Sequence, residues 1–155
     1  MYLQNIKKLG IYVHETNLLV IKRSNFENCR EVLNILLNTM SSNQLYRLEQ
    51  CAFSKCSRQA QHFVYNLTVN ILFVDTVFTN CHHPGNEGGS LHVSPLSKGV
   101  FKDHVVIRNC SFFHSSVTNK GGAVFTGPIY CLTVINSQFV RNKAQCRFGG
   151  ALYLK

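Results

Sequence analysis

This chain of 155 residues has few charged side chains and no long apolar run. Charged residues make up 15% and apolar residues 45%, a balance that excludes an intrinsically disordered chain. No apolar run approaches the roughly 18 residues of a membrane-spanning helix, so we expect no transmembrane segment. The opening "MYLQNIKKLGIYVHETNLLVIKRS" holds no clean apolar segment after its charges, and we read no signal peptide. The length fits one domain with a real core, which we assign to residues 1–155.

Acidic side chains are scarce, and this bears on catalysis. Hydrolases and lyases that act on polysaccharides need clustered carboxylates, as an acid and base pair or as calcium ligands. No two acidic residues share a position in the repeat described below, and no Ser, His and Asp arrangement occurs at motif spacing. We therefore predict no catalytic residue and no enzyme. The seven acidic residues are Glu15, Glu27, Glu31, Glu49, Asp75, Glu87 and Asp103.

The seven cysteines include no Cys-x-x-Cys pair, which argues against a structural zinc site. Because their number is odd, at least one is unpaired within the chain. The segment "CHHP", with His92 nearby, could suggest metal binding, but His82 and His83 would point to opposite faces of a strand. We predict no metal site and no cofactor.

The basic residues dominate the charge balance. The formal net charge of +9 predicts affinity for polyanions, with acidic glycans or a surface receptor as the expected partners. The basic residues are scattered and no nucleic-acid motif is visible, so we expect no specific nucleic-acid partner.

A repeat runs through the chain and is marked by phenylalanine. Five segments align on it, "IKRSNFENC", "LEQCAFSKC", "FVDTVFTNC", "IRNCSFFHS" and "VINSQFVRN". Their intervals are 27, 25, 34 and 27 residues, and the long interval contains turn residues in "HPGNEGG" and "SPLSKG". The aligned residues are Phe26, Phe53, Phe78, Phe112 and Phe139.

The positions around phenylalanine keep their character in every segment. Positions five and seven before it are apolar, which is the period of two of a strand with one buried face. The position two before it is small, and the position three before it is polar. Three segments continue into a glycine pair and a second apolar run, and glycine suits a tight corner. These corner glycines are Gly88, Gly89, Gly121, Gly122, Gly149 and Gly150.

A unit this short cannot bury its own apolar face, but stacked units cover one another. Short strands with corners, repeated near every 27 residues, predict an all-β fold, a parallel β-helix of about five to six coils. The exception is "CREVLNILLNTMSSNQLYRLEQC", which could hold a short helix. A leucine-rich repeat and a β-sandwich are the alternatives, in that order.

The same residues resemble a known family. Phe139-Val-Arg-Asn142 followed by Gly149-Gly150-Ala151-Leu152 is similar to the repeat of the polymorphic outer membrane proteins of chlamydiae. Related repeats occur in other right-handed β-helix surface proteins. Gly121-Gly122-Ala123-Val124 is a second match, whereas the first two coils lack the glycine pair, so the resemblance covers residues 70–155 best.

The resemblance implies a right-handed, pectin-lyase-like parallel β-helix at a cell surface or outside the cell. It implies a non-catalytic segment that serves adhesion or acts as a rigid scaffold. By analogy of fold alone, the alternative is a β-helix enzyme of the polysaccharide lyase or hydrolase type, or its inactive relative. Because the last strand stops without a polar cap, we expect a fragment whose solenoid continues beyond it.

Three further sets of residues have structural interpretations. The cysteines fall into two columns, with Cys29, Cys56 and Cys81 in one and Cys51 and Cys110 in the other. We interpret them as stacked free thiols or, in an oxidising compartment, as disulfides. The polar column with Asp75, Asn109 and Asn136 is expected to form a hydrogen-bonded ladder. Sequons at Asn66 and Asn109 are possible glycosylation sites, with Asn66 expected to be the more accessible.

Overall fold

A computed structural model describes residues 2–4, 9–14, 18–29, 31–37, 44–57, 61–65, 69–85, 87–95, 103–146 and 148–155. For residues 2–4, 9–14, 31–37 and 61–65 the description covers the backbone alone. Across these ranges the chain forms short strands and no helix. The prediction of an all-β chain is thus confirmed for the described part.

The described strands belong to four parallel sheets, which we name by their contents. The Phe sheet contains β1 (Tyr2–Gln4), β4 (Asn25–Glu27), β7 (Ala52–Ser54), β10 (Val77–Thr79), β14 (Ser111–Phe113) and β18 (Gln138–Val140). The five-stranded sheet contains β3 (Leu18–Lys22), β6 (Gln44–Glu49), β9 (Val69–Val74), β13 (His104–Arg108) and β17 (Cys131–Ile135). The Gly sheet contains β2 (Leu9–His14), β5 (Glu31–Leu37), β8 (Gln61–Tyr65), β12 (Leu91–Pro95), β16 (Val124–Thr126) and β20 (Leu152–Leu154). The short sheet contains β11 (His82–His83), β15 (Ser116–Val117) and β19 (Lys143–Ala144).

The chain visits these sheets in a fixed order, which is five-stranded, Phe, short where present, and Gly. Each strand pairs with its equivalent one repeat away, always in parallel. The register places the same repeat position side by side, as in Phe53 beside Phe78 and Ile71 beside Val105. In the described strands, each paired residue therefore lies next to its counterpart in the neighbouring repeat.

Alternation of apolar side chains explains which face of each strand is buried. In β6, Tyr46 and Leu48 are fully buried, whereas the adjacent Leu45 on the opposite face is exposed. Successive side chains of a strand point to opposite faces, so two inward residues are enough to hold the strand against the core. The equivalent buried residues of β9 and β13 are Ile71, Phe73, Val105 and Ile107.

The repeat formed by β17 to β20 is less well buried than the others. Its inward residues Leu132, Phe139 and Leu152 are only partly buried and pack on the core from one side. Their register partners one repeat earlier, Val105, Phe112 and Val124, are fully buried. In the described residues this repeat is thus the apolar edge of the stack.

The short helix considered for residues 29–51 is wrong for the described part of that segment. Residues 31–37 form β5 and residues 44–49 form β6. Both strands pair in parallel with neighbours on both sides, so inter-strand hydrogen bonds override the local helical pattern. Residues 38–43 lie outside the described residues.

Candidate functional site

The five repeat phenylalanines form one continuous ring stack. The ring centroids of Phe26 and Phe53 are 4.7 Å apart, and the following three steps measure 4.9, 4.8 and 4.8 Å. Adjacent rings are parallel within 10°. This spacing matches that of paired strands, because each ring is carried by the same position of the next strand. Four of the five rings are fully buried and Phe139 is partly buried, so the stack is a core element.

The first corner, three residues before each phenylalanine, is built from residues other than glycine in the left-handed region. Their φ angles lie between 47° and 54°. Two hydrogen bonds link neighbours, from Arg23 Nε to Gln50 Oε1 and from Asn109 Nδ2 to Asp75 Oδ1, both at 3.0 Å. The column therefore forms a partial hydrogen-bonded ladder. Its members are Arg23, Gln50, Asp75, Asn109 and Asn136.

A second left-handed corner lies two residues after each phenylalanine, and sequence reasoning missed it. Its φ angles lie between 51° and 53°, and all its side chains are exposed. The signal was available, because every segment carries a polar or basic residue at this position. The column contains Asn28, Lys55, Asn80, His114 and Arg141.

The glycine corners at Gly88–Gly89 and Gly121–Gly122 need both of their glycines, for two different reasons. Gly88, Gly121 and Gly149 have φ between 66° and 69°, where other residues are strained. At the second position, a methyl group on Gly122 would overlap the carbonyl oxygen of Gly150 in the next repeat. The pair thus permits a tight turn and a close approach of neighbouring backbones.

Small side chains at two interior columns supply hydrogen bonds that close the corners. The hydroxyls of Ser24, Thr76 and Ser137 each donate to the carbonyl two residues earlier at 2.9 Å. Cys51 and Cys110 occupy the same column, and their thiols donate to the equivalent carbonyls at 3.4 and 3.2 Å. Cysteine, serine and threonine are interchangeable here because each provides a short donor.

The other interior column contains Cys29, Cys56, Cys81, Ser115 and Asn142. Asn142 makes the strongest contacts, since its Nδ2 donates to Phe112 O and its Oδ1 accepts from Ser115 N, both at 2.9 Å. The thiols donate over 3.3 to 3.9 Å. None of the seven cysteines, all within the described ranges, forms a disulfide here.

Burial favours the protonated thiol at Cys51 and Cys110. It raises the pKa of Cys51 and brings the pKa of Cys110 to about 11. Contact with the Cys81 thiol, followed by burial, raises the pKa of Cys56. Burial likewise raises the pKa of Tyr46 to about 12. Because a thiolate is the reactive form, these cysteines are poor nucleophiles.

The surface carboxylates near the first corner are already engaged. Glu49 Oε2 lies 3.0 Å from both Lys22 Nζ and Arg47 Nη2. The hydrogen bond from Lys22 and the charges of both cations lower the pKa of Glu49 against a smaller effect of desolvation. Asp75 accepts the hydrogen bond of Asn109. The carboxyl group of Glu49, held ionised by its two cations, is unsuited to act as a general acid.

The histidines of "CHHP" occupy β11 in the short sheet. His82 is exposed, and its Nδ1 lies 2.8 Å from Ser116 Oγ. His83 is half-buried. Among the residues that the structure describes, no group of three His, Cys, Asp or Glu side chains is placed to hold a metal ion.

Only one of the two sequons, at Asn109, lies in the described residues, and its accessibility differs from the expectation. Asn66 lies outside the described residues. Asn109 was expected to be poorly accessible in its corner, but it is exposed, because the left-handed corner turns its side chain outward. Accessibility therefore gives no reason to prefer Asn66.

Charge is unevenly distributed along the sequence, although Lys120 of the late part is ion-paired with Glu87 of the preceding repeat at 3.9 Å. No acidic residue follows Asp103, so the last 52 residues carry basic charge alone. The basic residues of this part are Arg108, Lys120, Arg141, Lys143, Arg147 and Lys155.

Comparison with protein-family models, with curated proteins and with solved structures gave no match. In the ranges that the structure describes, no helix of membrane-spanning length and apolarity is present.

Proposed function

We propose that the repeats wind as a right-handed parallel β-helix. Support comes from the constant order of the sheets and from parallel pairing at an unchanged register. A strand that crosses over to a parallel neighbour does so in the right-handed sense in about 98% of cases, because of strand twist. An experimental structure tests this, and a left-handed winding or a pair of separate sandwiched sheets would overturn it.

We further propose that the chain is a non-catalytic segment of a cell-surface or secreted protein, serving adhesion or as a rigid scaffold. The single observation that carries the adhesive role is the last third of the chain, which has six basic and no acidic residues. A cationic surface on a rigid stack attracts polyanions such as acidic glycans. The location at a cell surface rests on the resemblance of the repeats.

Two observations support a non-catalytic role over a polysaccharide-cleaving one. The thiols of Cys51 and Cys110 are engaged in closing corners, and burial raises the pKa of both. Glu49, the carboxylate nearest to Asp75 in the repeat alignment, is ion-paired with two cations. Neither these thiols nor Glu49 is arranged as one member of an acid and base pair.

A glycan array read at several salt concentrations tests the adhesive role. We expect binding to sulfated and carboxylated glycans that weakens as salt rises, since such contacts are screened. The absence of binding to every acidic glycan at low salt would remove the adhesive role. Cleavage of a pectin-like polymer that disappears in Asp75→Ala would favour the enzyme instead.

A further inference from the structure

Two exposed columns lie side by side where the Phe sheet meets the short sheet. One is the second left-handed corner, and the other is the column of Ser57, His82, Ser116 and Lys143. In each repeat the two columns are separated by one interior residue, such as Cys56 or Cys81, which is buried. Because alternate residues face outward, the side chains of both columns are exposed, except that of Ser116, which is half-buried. We call these two columns the donor strip.

The backbone beneath the donor strip is held firmly between repeats. The N–H groups of Lys55, Asn80 and His114 donate to Thr79, Phe113 and Val140 at 2.9 to 3.0 Å. His82 and Ser116 are joined by their hydrogen bond of 2.8 Å. With about 4.8 Å between repeats, the strip presents a regular line of donors over roughly 15 Å. A fixed line of donors binds a linear ligand with little loss of conformational entropy.

The charge of the strip increases toward the last repeat. Lys55 is paired with Glu27 at 3.5 Å, so the early part is close to neutral. Arg141 and Lys143 lie two residues apart, in adjacent columns of the last repeat, and no acidic residue follows Asp103 in the sequence. The strip therefore combines hydroxyl, amide and imidazole groups with an unopposed pair of cations.

We propose that the donor strip binds a linear acidic glycan that carries sulfate or carboxylate groups. This inference rests on the adhesive role proposed above and names the site for it. Arg141 and Lys143 would contact the anionic groups, because guanidinium and ammonium pair with them through charge-assisted hydrogen bonds. Ser116, His82 and Asn80 would contact sugar hydroxyls. A single-stranded nucleic acid is the less suitable ligand, since the strip offers two imidazole rings, those of His82 and His114, but no Phe, Tyr or Trp side chain on which successive bases could stack.

The test uses a sulfated heparin-type oligosaccharide and calorimetry at low salt. We expect Arg141→Glu with Lys143→Glu to weaken binding about tenfold or more, by removing attraction and adding repulsion. The matched control is Arg108→Glu with Lys155→Glu, which makes the same change in net charge at exposed positions outside the strip. The control should change affinity by less than about threefold, as expected for screened distant charges. Arg141→Gln with Lys143→Gln provides a milder variant should charge reversal disturb folding.

The outcomes separate the two proposals. If the wild-type chain binds the oligosaccharide but both double variants lower the affinity equally, the proposal that the donor strip is the binding site is wrong and the adhesive role stands. If the wild-type chain binds no acidic glycan, the adhesive role fails first. Tighter binding of an oligonucleotide of equal charge would overturn the assignment of the strip to glycans.

Discussion

The early repeats, residues 18–57, and the late repeats, residues 103–155, build the same two corners around phenylalanine with different side chains. Both place phenylalanine in the stack and residues other than glycine in two left-handed corners. The early repeats close their corners mainly with thiols, and the late ones mainly with hydroxyl and amide groups. The early repeats also pair their cations with Glu27 and Glu49, whereas the late ones have no acidic residue after Asp103.

This difference teaches what a corner requires. The carbonyl oxygen left by the turn needs a short donor, and the identity of the donor atom is secondary. Ser137 and Cys110 occupy equivalent positions and donate to equivalent carbonyls at 2.9 and 3.2 Å. The chemistry of the donor then sets secondary properties, including the strength of the bond and its behaviour at high pH.

The glycine corner of the late repeats should give the largest difference between two matched variants. Gly122→Ala should lower the free energy of unfolding by about 4 kcal/mol, because its methyl group would overlap the backbone of the next repeat. Gly150→Ala should stay within about 0.5 kcal/mol, since its nearest foreign atom is Asn142 O at 3.6 Å. Urea unfolding measures both. Equal losses would contradict the close approach of repeats.

The phenylalanine stack should respond more strongly in its middle than at its edge. Phe78→Ala should cost about 4 kcal/mol, because Phe78 is fully buried between two rings. Phe139→Ala should cost about 2 kcal/mol, since Phe139 is partly buried and stacks on Phe112 alone among the described rings. Thermal and urea unfolding give the two values. A larger loss at Phe139 would contradict the edge position of its repeat.

Two residues of one interior column compare an amide donor with a thiol donor. Asn142→Ala should cost about 2 kcal/mol, because Ser115 N and Phe112 O both lose their partner. Cys56→Ala should cost about 1 kcal/mol, since its contacts at 3.5 and 3.9 Å are weak and only one heavy atom is removed. The free energies of unfolding of the two variants, measured under reducing conditions, test this difference. If the thiol variant is the more damaging, packing and not hydrogen bonding governs the column.

Alkaline pH should lower stability, mainly through buried thiols and Tyr46. The pKa of Cys110 rises from 9.0 to about 11 and that of Tyr46 from 10.0 to about 12. Between pH 9 and 12 the folded state therefore keeps protons that the unfolded state releases. The contribution of these groups to the free energy of unfolding is fully present below pH 9 and is lost as pH rises toward 12. Urea unfolding from pH 8 to 11 in reductant should show this decline. The decline should be shallower in Cys110→Ser, and an unchanged slope would exclude that thiol.

Several features could be predicted because they recur at a fixed position. The interval of the phenylalanines and the apolar residues five and seven positions earlier predicted strands, since a repeated pattern averages out local ambiguity. The second left-handed corner was missed because the pattern of apolar residues, which located the strands, does not mark a column made only of polar and basic residues. The helix considered at residues 29–51 was wrong because a short apolar run does not distinguish helix from strand.

The sequence by itself determined the period of the chain, the alternation of buried side chains and the imbalance of charge, because each is a property of residue order. The tertiary structure alone decided which residues of different repeats face one another. Only the stacked register brings His82 to Ser116, and it explains the second glycine in two of the three pairs, Gly89 and Gly122. Contacts between repeats depend on register, and register arises from inter-strand pairing over tens of residues.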